Sequence, residues 1–347
     1  MEADETMRRR DLIIGGVLAA GGLIAARAPD ASGLGAVLMG FDADEHPDLK
    51  GVVVRVGGAV VAERHYNGQP PDALHDMRSA GKSVTSLLVG AARDRGLIDS
   101  LADPVRRYWP EAAGSAIGDV ALSDVLTMRS GLAADDNEPE SPGNEDRLDT
   151  APDPLAFVLA VPRATPPGST YLYNSLTAYV AGLVVEEATG RQGRDFAREV
   201  LFEPLGITRF DWAADAAGRL KGQGNLSLAT HDMALIGQMA LDGGLAGGRA
   251  GGRQVISRGW IEDSLSPKVA IGAVDPYADG YGYFWYAKAL PVGDGTVDIR
   301  FASGNGGNKI YIVPSRNMVV AVTSAAYGRG YGQRRSQAIL TALLAAG

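Results

Sequence analysis

Ser79-Ala80-Gly81-Lys82 sets a hydroxyl and an amine three residues apart, and it is the one Ser-x-x-Lys in a chain with six lysines. Residues three apart on a helix share a face, so the amine can reach the hydroxyl. A serine in the first turn also sits in the positive field of a helix N-terminus. Burial lowers a lysine pKa, so a neutral Lys82 amine is expected to take the Ser79 proton near neutral pH. An N-capping serine beside an exposed lysine is the plain structural alternative for the same four residues.

Two further segments carry matching chemistry. Tyr173-Asn174-Ser175 follows Pro166-Pro167-Gly168 and directly precedes an amphipathic helix. A tyrosine at such a junction can project into a cleft and pass a proton to a leaving group. Ala302-Ser303-Gly304-Asn305-Gly306-Gly307-Asn308 lies between two strand-like runs. Backbone N–H groups at a glycine-rich strand edge can stabilise a developing oxyanion. A phosphate loop fits poorly, because a strand and not a helix follows. A simple hairpin turn is the plain structural alternative.

These groups need a scaffold. Val52 to Val54 and Val60 to Ala62 flank Gly57-Gly58, which predicts a β-hairpin. A helix is expected from about Ser79 to Arg95, ending at Gly96, from the spacing of Val84, Leu87, Leu88 and Ala91. Helices are also expected at Leu122–Met128, at Ser175–Thr189 and after Thr230, with Thr230 as N-cap. Strand character returns at 297–301, 309–313 and 318–322, and a helix closes the chain from Arg334. The acidic segment Ala133 to Asp153 reads as a surface loop or lid, or as a solvated excursion.

The implied fold is α/β (α+β): an antiparallel sheet flanked by terminal helices, with a mostly helical subdomain inserted. A single catalytic domain is expected over 33–347. Its sheet part covers about 33–101 plus 290–347, and its helical part about 102–289.

Bulk properties narrow the function. A net charge of −8 with no basic tract beyond the N-terminus disfavours nucleic acid as a partner. The absence of cysteine removes disulfides, thiol catalysis and thiolate metal sites. Arg8-Arg9-Arg10 precedes an uncharged run from Leu12 to Ala25, too short to span a bilayer comfortably. Residues 1–28 are therefore expected to be a twin-arginine-type export signal, giving a periplasmic or secreted protein with no stable membrane span. An anchoring N-terminal helix is the other reading.

Taken in order and separation, the three motifs resemble the serine β-lactamase and penicillin-binding-protein superfamily. The similarity is greatest to its class C-like esterase and 6-aminohexanoate-dimer-hydrolase-like branch. It extends through Leu122 to Leu132, Thr230-His231-Asp232-Met233-Ala234 and Tyr281-Gly282-Tyr283-Phe284-Trp285. The resemblance implies that Ser79 is acylated, Lys82 is its base and Tyr173 the second proton carrier. It puts the oxyanion against the N–H groups of Ser79 and of Asn305, just after Gly304, and sets Ser175 where many relatives have the asparagine of Tyr-x-Asn. No metal or cofactor is implied.

The third motif departs from the family. Ala302-Ser303-Gly304 stands where relatives acting on β-lactams carry Lys-Thr-Gly or a histidine variant, which leaves no cation for a substrate carboxylate. A lost charge-assisted hydrogen bond costs about 1.5–3 kcal/mol. The expectation is thus a small-molecule ester or amide hydrolase, with β-lactamase or D-aminopeptidase/DD-peptidase activity as the alternative. A non-catalytic binding or sensor module of the same fold is a further alternative. No Gly-x-Ser-x-Gly elbow supports an α/β-hydrolase, and His46, His65, His75 and His231 suit no triad order.

Overall fold

The computed structural model describes residues 31–347; the expected export signal at 1–28 lies outside them. Among the described residues no helix is long and apolar enough to cross a membrane.

Eight strands form one antiparallel sheet. They are β1 (Leu49–Val56), β2 (Ala59–His65), β3 (Val269–Ala270), β4 (Gly280–Tyr281), β5 (Tyr286–Val292), β6 (Gly295–Gly304), β7 (Asn308–Val313) and β8 (Met318–Ser324). Their spatial order is β2-β1-β8-β7-β6-β5-β4-β3. The chain thus enters the sheet near its N-terminus and returns from Val269 onward, earlier than the 290 expected from strand-like runs. The short strands at 269–270 and 280–281 are too brief to show a period of two.

The β1–β2 hairpin turns at Gly57 and Gly58, both with positive φ, which glycine adopts without steric cost. Central strands β7 and β8 are buried throughout. From Ile310 in β7 and from Met318 to Val322 in β8 they read as continuous apolar runs because helices cover both faces. Helix α1 (Ala31–Gly40) packs on β2 and on the terminal helix, whereas the helix at Thr230–Leu241 packs on β1, β7 and β8.

The helices that carry the site come from both parts of the chain, the first from before residue 102 and the others from the inserted region. Helix α2 (Gly81–Asp94) is buried from Gly81 to Ala92 and packs against α5 (Ser175–Thr189) and β6. Between them lie α3 (Leu122–Leu126) and α4 (Glu145–Asp149), the latter inside the segment expected to be a loop. Asn174 caps α5 by accepting from the Thr177 N–H, and Gly190 closes it in the left-handed conformation. Helix α6 (Thr230–Leu241) is not capped by Thr230, contrary to expectation. Ala229 occupies the cap position, and the Thr230 hydroxyl instead pairs with Thr323 of β8 at 2.7 Å. That bond ties the helix to the sheet. Helix α7 (Gly330–Ala346) ends the fold.

Candidate active site

Ser79 stands in a 3₁₀ turn, Arg78–Ala80, and α2 proper begins at Gly81, two residues later than the periodicity suggested. The turn opens on Arg78 with φ 53°, a left-handed conformation that costs a non-glycine residue about 1–3 kcal/mol. The Arg78 N–H donates to Asp76 at 2.8 Å, and its guanidinium lies 4.4 Å from the Tyr327 ring centre. These contacts hold a turn that propensity alone would relax.

Lys82 is 1% exposed. Its Nζ donates to Ser79 Oγ at 2.9 Å, to Ser175 Oγ at 3.0 Å and to the Gln223 carbonyl at 2.7 Å. The Tyr173 ring centre is 5.0 Å away. Four of the residues selected from sequence therefore meet at one point: Ser79, Lys82, Tyr173 and Ser175.

The electrostatics correct one expectation. Burial pulls the Lys82 pKa down, but Tyr173, Glu145 and Asp136 outweigh it, and the net shift is upward. The amine is held as an ammonium, with three acceptors for its three N–H groups. Asp136 and Glu145 come from the 133–153 segment, which folds inward here and is no free lid. Asp136 accepts the Ser175 N–H at 2.7 Å. Burial pushes both carboxyl pKa values up, while the charge of Lys82 pulls them back. Sequence reasoning missed this pair, because an acidic, proline-bearing stretch looks like a solvated surface. Among the described residues no three acidic or histidine side chains are placed to hold a metal ion.

The opposite wall is the β6–β7 turn. A Cβ placed on Gly304 would lie 2.0 Å from the Met77 oxygen and 3.1 Å from the Ala80 nitrogen, so the strand edge abuts the Ser79 turn. Only glycine permits that approach. Gly306 and Gly307 both have positive φ, which closes the hairpin. Buried Asn308 fixes the loop: its Nδ2 donates to the Asn305 and Ser324 oxygens at 2.9 and 3.0 Å, and its Oδ1 accepts from the Ser324 N–H. Asn305 Oδ1 in turn accepts from Gly328 at 2.8 Å.

Between these walls is a cleft of about 690 Å³ lined by Ser79, Tyr173, Gln223, Gly304 and Asn305 among others. Tyr286 and Phe301 stack at 5.2 Å to give it an aromatic floor. None of the four histidines lines it. A buried lysine stands behind the third motif, outside the residues that line the cleft. Lys309 on β7 is buried and donates to Ser303 Oγ at 2.7 Å. It escaped notice because it follows the motif by five residues and becomes adjacent only through strand pairing.

A Ser-x-x-Lys at the head of a buried helix, a tyrosine at the head of the helix packed against it and a glycine edge on the sheet are the arrangement of the β-lactamase/transpeptidase fold. The chain belongs to the Beta-lactamase family, whose model matches residues 41–344. It is 32% identical over 223 residues to the 6-aminohexanoate-dimer hydrolase of Paenarthrobacter ureafaciens, covering 60% of this chain and 55% of that protein. The match thus spans about half of that relative's length. Penicillin-binding protein 4 of Amycolatopsis lactamdurans is 26% identical over 323 residues, covering 83% of this chain and 80% of that one. A penicillin-binding-protein homologue from Caulobacter crescentus shares the fold with TM-score 0.71 at 19% identity, over 92% of this chain and 98% of the other. A family VIII carboxylesterase does so with TM-score 0.70 at 17% identity, over 91% and 98%.

Proposed function

We propose that this protein is a serine hydrolase of small esters or amides that works through an acyl-enzyme on Ser79. The observation that carries the reading is Lys82 Nζ at 2.9 Å from Ser79 Oγ with the Tyr173 ring beside it. Once Lys82 has released its extra proton, it can donate to Gln223 O and Ser175 Oγ and turn its lone pair to the Ser79 hydroxyl. Ser79 then attacks the substrate carbonyl as Lys82 takes the hydroxyl proton. The oxyanion lies against the Ser79 and Asn305 N–H groups. Tyr173 passes a proton to the departing alkoxide or amine as the carbonyl–heteroatom bond breaks. Lys82 then restores the Tyr173 proton. Water attacks the ester on Ser79 and gives its proton to the neutral Lys82 amine, which returns it to Ser79 Oγ as the ester bond breaks and the acid leaves.

Intact-mass measurement across a panel of esters, linear amides, D-amino-acid peptides and a cephalosporin tests this. A mass increase that disappears in Ser79→Ala supports it. No adduct with any substrate and no labelling by a fluorophosphonate would instead support a non-catalytic module. A β-lactamase or D-peptidase is the second reading, favoured by the similarity to penicillin-binding protein 4 and by the Lys309 amine that holds Ser303 from behind. The cephalosporin and D-peptide arms decide it.

We also propose export through the twin-arginine route, supported by Arg8-Arg9 ahead of the apolar run. N-terminal sequencing of the mature protein from the periplasm or medium checks it; an intact Met1 or Met7 start in the cytoplasm would refute it.

A further inference from the structure

Lys82 and Lys309 are the two lysines buried among the described residues, and the acylation chemistry uses only the first. Lys309 is 2% exposed and sits directly across from Ser303 in the β6–β7 register, so the two side chains share a face of the sheet. Its Nζ has one hydrogen-bond acceptor, Ser303 Oγ at 2.7 Å. The rings of Phe301 and Tyr311 stand 4.8 and 5.9 Å away. Ser303 itself lines the cleft, next to Gly304 and Asn305.

We propose that Lys309 sets the direction in which the Ser303 hydroxyl hydrogen-bonds into the cleft, and thereby selects the substrate group that can sit against β6. As an ammonium Lys309 can only donate, so it occupies the serine oxygen and leaves the O–H to point at the substrate. The site then favours a carbonyl or carboxylate acceptor. As a neutral amine Lys309 can accept the serine O–H, which leaves the serine oxygen facing the cleft. The site then favours an N–H or O–H donor. One proton on a side chain that never touches the substrate inverts the polarity of the wall.

The surroundings place this change in the working pH range. Burial pulls the Lys309 pKa down to about 7, with Asp275 at the cleft pulling back. Tyr311 on the same strand and Tyr286 beyond Phe301 have hydroxyls raised by burial and stay neutral there. The terminal helix contributes Gln333, which is uncharged and donates to the Gly304 oxygen at 2.8 Å.

The kinetic test rests on the hydrolase reading. Two matched ester pairs are compared from pH 6 to 8.5, one with a ketone in the acyl chain and one with it in the alcohol. Each ketone is set against a branched alkyl ester of the same shape. For the pair whose ketone meets β6, the ketone-to-alkyl ratio of kcat/KM should fall about three- to tenfold through pH 7, the worth of one hydrogen bond. In Lys309→Met and in Ser303→Ala the ratio should be flat. A flat ratio for both pairs in the unaltered protein, or an undiminished fall in either variant, overturns the proposal. Independently of any turnover, the lysine Cε resonance of Lys309 is followed by NMR in the unaltered protein, and is identified by its perturbation in Ser303→Ala. A midpoint near 7 is expected, and one above 9 overturns the proposal. Absence of all hydrolysis together with a midpoint near 7 would count against Ser79 chemistry while upholding the switch.

Discussion

The main-chain oxygen of Gln223 accepts from Lys82 Nζ at 2.7 Å, and because a carbonyl can only accept, it takes an N–H from Lys82 in either protonation state. Ser175 Oγ takes a second, so the position facing Ser79 is the one that changes between N–H and lone pair. Lys82→Arg keeps the positive charge near Asp136 and Glu145 but cannot lose a proton at any working pH. Turnover should fall by about 10²–10⁴, the worth of a positioned base, while the circular dichroism spectrum stays native. Activity within tenfold of the unaltered protein would remove Lys82 from the base role.

The acids around Lys82 make the rate depend on pH in a defined sense. The Lys82 pKa is raised above its ordinary value against burial, by Tyr173, Glu145 and Asp136. In the proposed mechanism the reactive amine is the deprotonated form, so kcat/KM should climb with pH across the neutral and mildly alkaline range. Asp136→Asn and Glu145→Gln each remove one negative charge, lower the Lys82 pKa and should move the rising limb to lower pH. A pH profile of both variants beside the parent checks this. A limb that stays in place, or moves to higher pH, contradicts the arrangement.

What was legible in the sequence follows from where the information is local. Ser79 and Lys82 share a helical face, the β1–β2 hairpin turns on two glycines, and α5 begins at Asn174 and ends at Gly190. Each is encoded within a few residues. Asp136, Glu145 and Lys309 reach the cleft through packing and strand pairing with distant segments, and no local pattern marks them. The Lys82 charge state was misjudged for the same reason. Burial can be inferred from an apolar helix, but the acids that offset it lie more than fifty residues away in the chain. The Thr230 cap failed because a threonine near a helix start has a competing partner, Thr323, that only the folded sheet supplies.

Gly304 is the close steric contact between the sheet and the Ser79 turn. Gly304→Ala would put a methyl carbon 2.0 Å from the Met77 oxygen, and backbone on both sides leaves it nowhere to go. The β6 edge must move off the Ser79 turn, taking the Asn305 N–H with it. Overpacking of this kind costs about 1–3 kcal/mol, seen as a lower denaturant midpoint. The turnover loss should exceed the stability loss, at about tenfold or more, because the proposed oxyanion donor is displaced. A variant with unchanged kcat would show that this edge does not contribute the oxyanion site.

Arg335 does not line the cleft; it ties the terminal helix to the segment before β1 and offers a test of stability. Its guanidinium donates to Asp44 at 3.2 Å and to Ser324 Oγ at 2.7 Å, and it also pairs with Asp48. Burial raises the Asp48 pKa, but the hydrogen bonds from Tyr331 and Arg335 and the Arg335 charge outweigh it, so the net shift is downward. Asp48 therefore binds its proton less readily folded than unfolded. Its contribution is complete above about pH 4, its unfolded range, and is lost as the pH falls through the folded value. Arg335→Leu should cost about 3 kcal/mol, the low end for breaking a buried pair, since both acids retain some contact with water. It should also flatten the loss of stability below about pH 4, because the Arg335 hydrogen bond and charge, which together with the Tyr331 hydrogen bond depress the Asp48 pKa, are gone. Urea midpoints of the two proteins across that range decide it. Parallel pH profiles would mean that Asp48 owes its shift to Tyr331 instead.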